Sequence, residues 1–202
     1  VKFPQDEDDN ENDAVGQAEF FNKLAESMVA NSKQVWLPPD FKNILPELKS
    51  IANWVLTKPV VRKGQVTKPP MQPNGEFACI DDPATWNDFE TVRAAYERGG
   101  FIGVGFVLDG KPHFDGRYLH GFDWDHCIVD GQLDPAVDKI VQTLNIPRLE
   151  TSISGTGLRG FFLHHEPLQT PLQKIRIGGR SVELYSTLRY LTTTGRGKGA
   201  LE

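Results

Sequence analysis

Apolar positions recur along the 202-residue chain in two periods, and the change between them divides it into elements. From Ala14 to Asn31, Phe20, Phe21, Leu24 and Met28 fall on one helical face, so an amphipathic helix is expected there. Pro38-Pro39 ends any helical run, and Ile51 to Thr57 reads as a strand. A Lys/Pro/Gly-rich connection with Lys58, Arg62, Lys63 and Lys68 then extends to Gly75. Asp82 is the expected N-cap of a second helix, with Pro83 in its first turn and Phe89, Val92 and Tyr96 as its buried stripe; Gly99-Gly100 stops it. Phe101 to Leu108 and Leu119 to Asp125 read as two strands of a long-looped hairpin, and Asp134-Pro135 opens a third helix to about Asn145 with Val137, Ile140, Val141 and Leu144 inward. The rest reads as strands over 149–154, 158–164, 174–177, 181–185 and 189–193. Helices mixed with mostly antiparallel strands give an α+β fold with a mixed or antiparallel sheet.

At 39% hydrophobic and 24% charged residues, the chain can bury a core, and its length suits one main domain. No stretch approaches the roughly 18 apolar residues of a membrane span, so no membrane partner is expected. Cys79 and Cys127 form no CxxC pair, which points to a reducing, cytoplasmic setting. The net charge of -5 resides in residues 1–13, where Asp6, Glu7, Asp8, Asp9, Glu11 and Asp13 face only Lys2. Residues 148–199 are basic: Arg148, Arg159, Lys174, Arg176, Arg180, Arg189, Arg196 and Lys198 against Glu150, Glu166 and Glu183. The expected organisation is an acidic arm at 1–13, a helical segment at 14–50, a catalytic domain at 51–195 and a tail at 196–202. Leu201-Glu202 reads as a cloning remnant on an excised fragment.

Three short segments carry chemistry. In Gly121-Phe122-Asp123-Trp124-Asp125 the two carboxylates are two residues apart on an expected strand, which directs both to one face; such a pair suits Mg²⁺ or Mn²⁺ and also a solvated face. Ser152-Ile153-Ser154-Gly155-Thr156-Gly157-Leu158-Arg159 reads as a turn whose amides and hydroxyls can converge on an anion, with Arg159 offering a fork for phosphate oxygens. It equally fits a tight Gly-rich turn, and it lacks the Gly-Lys-Ser/Thr of a Walker loop. In Ser181-Val182-Glu183-Leu184-Tyr185 a lone acid interrupts an apolar strand, either exposed on it or serving as a third metal ligand.

In this order the three segments resemble the motifs of the archaeo-eukaryotic primase superfamily, specifically the primase-polymerase domains of phages, plasmids and integrated elements. Trp54-Val55-Leu56, Lys68-Pro69-Pro70, Asp82-Pro83-Ala84-Thr85-Trp86, Gly103 to Val107, and Glu183-Leu184-Tyr185 through Arg189-Tyr190 and Thr194-Gly195 extend the likeness over about residues 50–195. The resemblance implies an RRM-like catalytic core acting as a template-directed DNA primase or polymerase. It implies that Asp123, Asp125 and Glu183 bind two divalent cations, Mg²⁺ or Mn²⁺. Ser154, Gly155, Gly157 and Arg159 would hold the triphosphate of a dNTP or NTP, with Lys68 and Arg189 as further phosphate contacts. The implied partners are a single-stranded DNA template and a helicase domain in the full protein. Many members carry histidine where this chain has Arg159, and arginine cannot serve as a neutral acceptor or proton carrier.

The alternative class is a non-catalytic single-strand binding module presenting aromatics and arginines. Trp54, Trp86, Trp124 and Phe122 would then stack on bases or pack the core. A rolling-circle nuclease would need a His-x-His pair, whereas His164 and His165 are adjacent. A zinc site from His113, His120, His126 and Cys127 would have irregular spacing.

Overall fold

The computed structural model describes residues 35–144, 148–177 and 180–199. The acidic arm at 1–13, the helix expected at 14–31 and the last three residues lie outside them. Strands β1 (Trp54–Thr57), β2 (Val60–Arg62), β3 (Gln65–Thr67), β4 (Pro70–Met71) and β5 (Gly103–Asp109) come first, then β6 (Pro112–His113), β7 (Arg117–Trp124), β8 (Ile128–Val129) and β9 (Gln132–Leu133). They are followed by β10 (Arg148–Thr151), β11 (Leu158–His164), β12 (Leu172–Ile177), β13 (Arg180–Tyr185), β14 (Thr187–Thr193) and β15 (Gly197–Gly199). The helices are α1 (Pro46–Lys49), α2 (Phe89–Glu97) and α3 (Pro135–Leu144). The fold is α+β, and every strand pairing described is antiparallel.

Pro59–Lys68 belongs to a separate compact unit. The expected basic connection is here a hairpin, β2 on β3, with Val61 opposite Val66. Lys63 and Gly64 both have positive φ, 50° and 72°, as a two-residue hairpin turn requires. The alternation Val60-Val61 and Val66 around Lys-Gly is the signal that the Lys/Pro/Gly composition obscures.

The main unit holds two larger sheets besides the two-stranded pair of β8 on β9. One runs β14-β5-β1-β4; the other runs β12-β13-β7-β11-β10-β15, with β6 also on β7. β5 and β7 therefore do not form the expected hairpin: β5 pairs with β1 and β14, and β7 with β11 and β13. The two strands meet through packing. A Cβ on Gly121 of β7 would overlap Leu191 of β14 and come within 3.1 Å of Leu108 of β5, so glycine lets the sheets stack there.

Phe106, Leu108, Leu119, Phe161, Tyr185 and Leu191 join Trp54, Leu56, Phe89 and Val92 in the largest core cluster. On the other face of the second sheet, Phe122, Trp124, Leu158 and Val182 pack against Val137 of α3. The second expected helix divides in two because two aspartates cap separately. Asp82 Oδ1 accepts from Ala84 N at 3.0 Å and opens a 3-10 turn over Pro83–Thr85; Trp86 is extended, and Asp88 Oδ1 accepts from Thr91 N at 2.8 Å to open α2. Among the described residues no helix is long and apolar enough to cross a membrane.

Candidate active site on the second sheet

Antiparallel register assembles the site. Glu183 of β13 lies opposite Asp123 of β7, which lies opposite Arg159 of β11; Lys174 of β12 faces Glu183 and Glu150 of β10 faces Arg159. Directly opposed residues share a sheet face, so five strands contribute one row: Lys174, Glu183, Asp123, Arg159, Glu150. Two adjacent acids at its centre would repel, and the row places a cation beside each of them.

Asp123 is 3% exposed, and its carboxylate takes a two-pronged grip from Arg159, Nε to Oδ1 at 3.0 Å and Nη2 to Oδ2 at 3.1 Å. Arg159 Nη1 donates to Thr192 Oγ1. Arg189 of β14 brings Nη2 to 3.7 Å from Asp123 Oδ2, and its guanidinium lies 4.5 Å above the centroid of the Tyr185 ring. Glu183 Oε1 pairs with Lys174 Nζ at 2.6 Å, and Tyr185 Oη donates to Oε2. The Lys174 and Tyr185 hydrogen bonds hold the Glu183 carboxyl below its ordinary range, while burial, and then the bond to Glu183, raise the Tyr185 phenol.

A pH dependence follows from Glu183. The folded chain protonates it at lower pH than the unfolded chain does, so this pairing contributes its full stability at neutral pH. The contribution declines as the pH drops below about 4.5 and vanishes below the folded-state value. Glu183→Gln is expected to flatten the acid side of a plot of urea-unfolding midpoint against pH. An unchanged acid slope would show that Lys174 and Tyr185 do not stabilise the carboxylate.

Asp125 occupies a different setting from Asp123. The expected strand to Asp125 ends at Trp124, because His126 adopts φ +54° and turns the chain, leaving Asp125 exposed in that turn. It stays beside the Gly-rich segment: a Cβ on Gly157 would be 3.4 Å from Asp125 Cα and 2.6 Å from Trp124 O, so only glycine permits this approach.

The Ser152–Gly157 turn is held partly by its own bonds. Gly155 N donates to Ser152 O at 2.8 Å and Gly157 N to Ser152 Oγ at 3.0 Å, so these two glycine amides, expected to face an anion, are already engaged. Gly155, at φ +77°, makes the turn, and its position lies against Leu37. The polar groups it presents are hydroxyls: Ser154 Oγ lies 3.0 Å from Ser152 Oγ and 2.9 Å from Thr156 Oγ1.

Register thus brings Asp123, Glu183 and Arg159 together, and packing of β14 adds Arg189, with Asp125, Ser154, Gly155 and Gly157 at the adjoining end of the sheet. Lys68 lies in the separate hairpin unit. Lys174, Tyr185, Thr192 and Glu150 were missed as site residues. For Tyr185 and Glu150 the signal available was period-two spacing from a motif segment; Lys174 stood out only as part of the basic zone at 148–199, and Thr192 only as lying just beyond the third motif.

The carboxylate oxygens of Asp123, Asp125 and Glu183 are hard donors of the kind Mg²⁺ and Mn²⁺ take, and each retains lone pairs beyond its present bonds. A cation there meets Arg159 and Lys174 as competitors. Among the described residues no group of three or more His, Cys, Asp or Glu is gathered closely enough to hold a metal ion as it stands.

The candidate zinc residues have other bonds. His113 Nε2 is 3.1 Å from Asp109 Oδ1, His120 Nε2 is 3.0 Å from Glu166 O, and the buried Cys127 thiol donates to Trp124 O. Trp54, Trp124 and Phe122 are at most 3% exposed and pack the core; Trp86 is half-buried, with Nε1 donating to Cys79 O at 2.6 Å. No family model matches the chain, and no curated protein matches its sequence.

Proposed function

We propose that this chain is a template-directed nucleotidyl transferase of the primase-polymerase type, joining dNTPs or NTPs on single-stranded DNA. The reading rests on one arrangement: two acids side by side on neighbouring strands, a third at the strand end, and the hydroxyls and guanidinium of the Ser152–Arg159 segment along the same edge. The resemblance of the three motifs supports it. Asp123, Asp125 and Glu183 would hold Mg²⁺ or Mn²⁺, which when bound stabilise charge on the attacking and departing oxygens.

The chain's own side chains orient the reactants. Arg159 and Arg189 put two guanidinium groups beside the acids, where a triphosphate gains charge-assisted hydrogen bonds. Thr192 and Asp123 fix the plane of Arg159, and the Tyr185 ring fixes that of Arg189. Groups held this way need little reorganisation when charge develops on a phosphate.

A second reading, a non-catalytic single-strand binding module, is favoured by one observation: Asp123 and Glu183 already have counter-cations within the chain. The test is synthesis from labelled nucleotides on circular single-stranded DNA, with and without a primer, in Mg²⁺ and in Mn²⁺. Products without a primer that disappear in Asp125→Ala are the expected result. Extension only from a primer would restrict the activity to polymerase. No product in any condition, with salt-sensitive DNA binding retained, would replace this reading with the binding module.

A further inference from the structure

Strand β12 forms one edge of the second sheet, and Arg176 on it has no place in the site described above. Its cross-strand partner is Ser181, two residues before Glu183 on β13, so Arg176 shares the face that carries Glu183 and Asp123. Asp125 lies two residues after Asp123, in the turn just past the end of the antiparallel β7. Ser181, Asp125 and Arg176 are therefore at the same end of the sheet. Arg176 is exposed, and Lys174, one step back along the same face, has 60% of its side chain exposed while holding Glu183.

The order across the sheet places the acids of β7 and β13 between two sets of basic and hydroxyl groups. On one flank is the Ser152–Arg159 segment, which borders Asp125 through Gly157. On the other flank, about 14 Å away at three strand spacings, are Arg176 and Lys174. An enzyme that joins a nucleotide to a strand needs its acids where the two meet, with one phosphate-bearing reactant on each side.

We propose that the β12 edge, through Arg176 assisted by Lys174, takes the phosphate backbone of the single-stranded DNA on the flank opposite the nucleotide-binding turn. This rests on the reading of the site as a nucleotidyl transferase. The choice of the DNA strand follows from charge and position: the opposite flank already offers Arg159 and the hydroxyls to a triphosphate. An open sheet edge can also take a polymeric chain along its length. Charged side chains on an edge strand also discourage edge-to-edge pairing, and for that purpose a glutamate serves as well as an arginine. Charge reversal therefore separates the two roles.

The experiment measures binding of a fluorescent single-stranded oligonucleotide by anisotropy in EDTA over a range of salt, for the wild-type chain, Arg176→Glu and, as a control, Lys111→Glu in the exposed turn between β5 and β6. Expected for Arg176→Glu is about a tenfold loss of affinity at low salt, with the log-log salt slope shallower by about 0.7 or more; Lys111→Glu stays near wild type. Nucleotide incorporation by Arg176→Glu at saturating DNA is expected to match wild type, with the loss appearing in KM for DNA.

Equal affinity in Arg176→Glu and wild type, an equal loss in the Lys111 control, or a change in oligomeric state by size-exclusion chromatography without a change in DNA binding would each overturn the assignment. Loss of binding in Arg176→Glu together with no incorporation by the wild-type chain would uphold the surface and overturn the enzymatic reading. No binding by the wild-type chain would overturn both.

Discussion

Asp125→Ala is expected to abolish nucleotide incorporation, by at least about 10³-fold, while leaving the thermal midpoint within about 2 °C of wild type. Asp123→Ala is expected to abolish it too, but with a loss of stability of about 3–5 kcal/mol. The difference comes from position. Asp125 is exposed in the turn after β7, so its removal strands no partner of the described network. Asp123 is buried and receives both prongs of Arg159, with Arg189 nearby; without it the Arg159 guanidinium, only 12% exposed, lacks its counter-charge. Asp125→Ala is therefore the cleaner probe of chemistry. Differential scanning fluorimetry alongside the synthesis assay separates the two effects. If Asp125→Ala retains most of its activity while folded, Asp125 is no ligand and the three-acid reading fails.

The second large effect is expected at Glu150, which lies outside the three motifs. Its side chain is buried, and Oε1 accepts from Arg148 Nη2 at 3.1 Å while Oε2 accepts from Thr194 N at 2.9 Å and Gly195 N at 3.2 Å. Arg148 Nη2 also donates to Asn43 O at 2.7 Å. One carboxylate thus ties β10 to the end of β14 and to the segment before α1. Glu150→Ala is expected to cost about 3–5 kcal/mol, lowering the thermal midpoint by roughly 10 °C, because it leaves a buried guanidinium and two amides short of an acceptor. Glu150→Gln keeps one carbonyl oxygen and should recover part of the loss. A shift of only a degree or two in Glu150→Ala would mean that water reaches these groups and that the network adds little.

Local pattern and site formation differ in how far they could be read from the chain. The short apolar runs at 158–164 and 181–185 became β11 and β13 because strand preference is a property of neighbouring residues, and α3 formed where Val137, Ile140 and Val141 keep a helical spacing. Boundaries were less legible. Two caps, Asp82 and Asp88, competed within one expected helix, and the positive φ of His126 ended β7 one residue early. Closeness in sequence makes the 101–108 and 119–125 strands look like a hairpin. Burial decided otherwise: each strand found better partners in a different sheet, with Gly121 letting the two sheets stack.

The sequence by itself determined the α+β class, the antiparallel strands, and the residue types of the proposed site: three acids, a hydroxyl-rich glycine turn and a zone of positive charge. Only the tertiary structure decided which charges meet. Strand register set Arg159 on Asp123 and Lys174 on Glu183 and left Arg176 on an edge strand among the described residues, while the turn at His126 set Asp125 apart as the exposed acid. The reason is physical: side-chain period and propensity act over a few residues, whereas register between strands as far apart as β7 and β13 is chosen by the packing of the whole sheet.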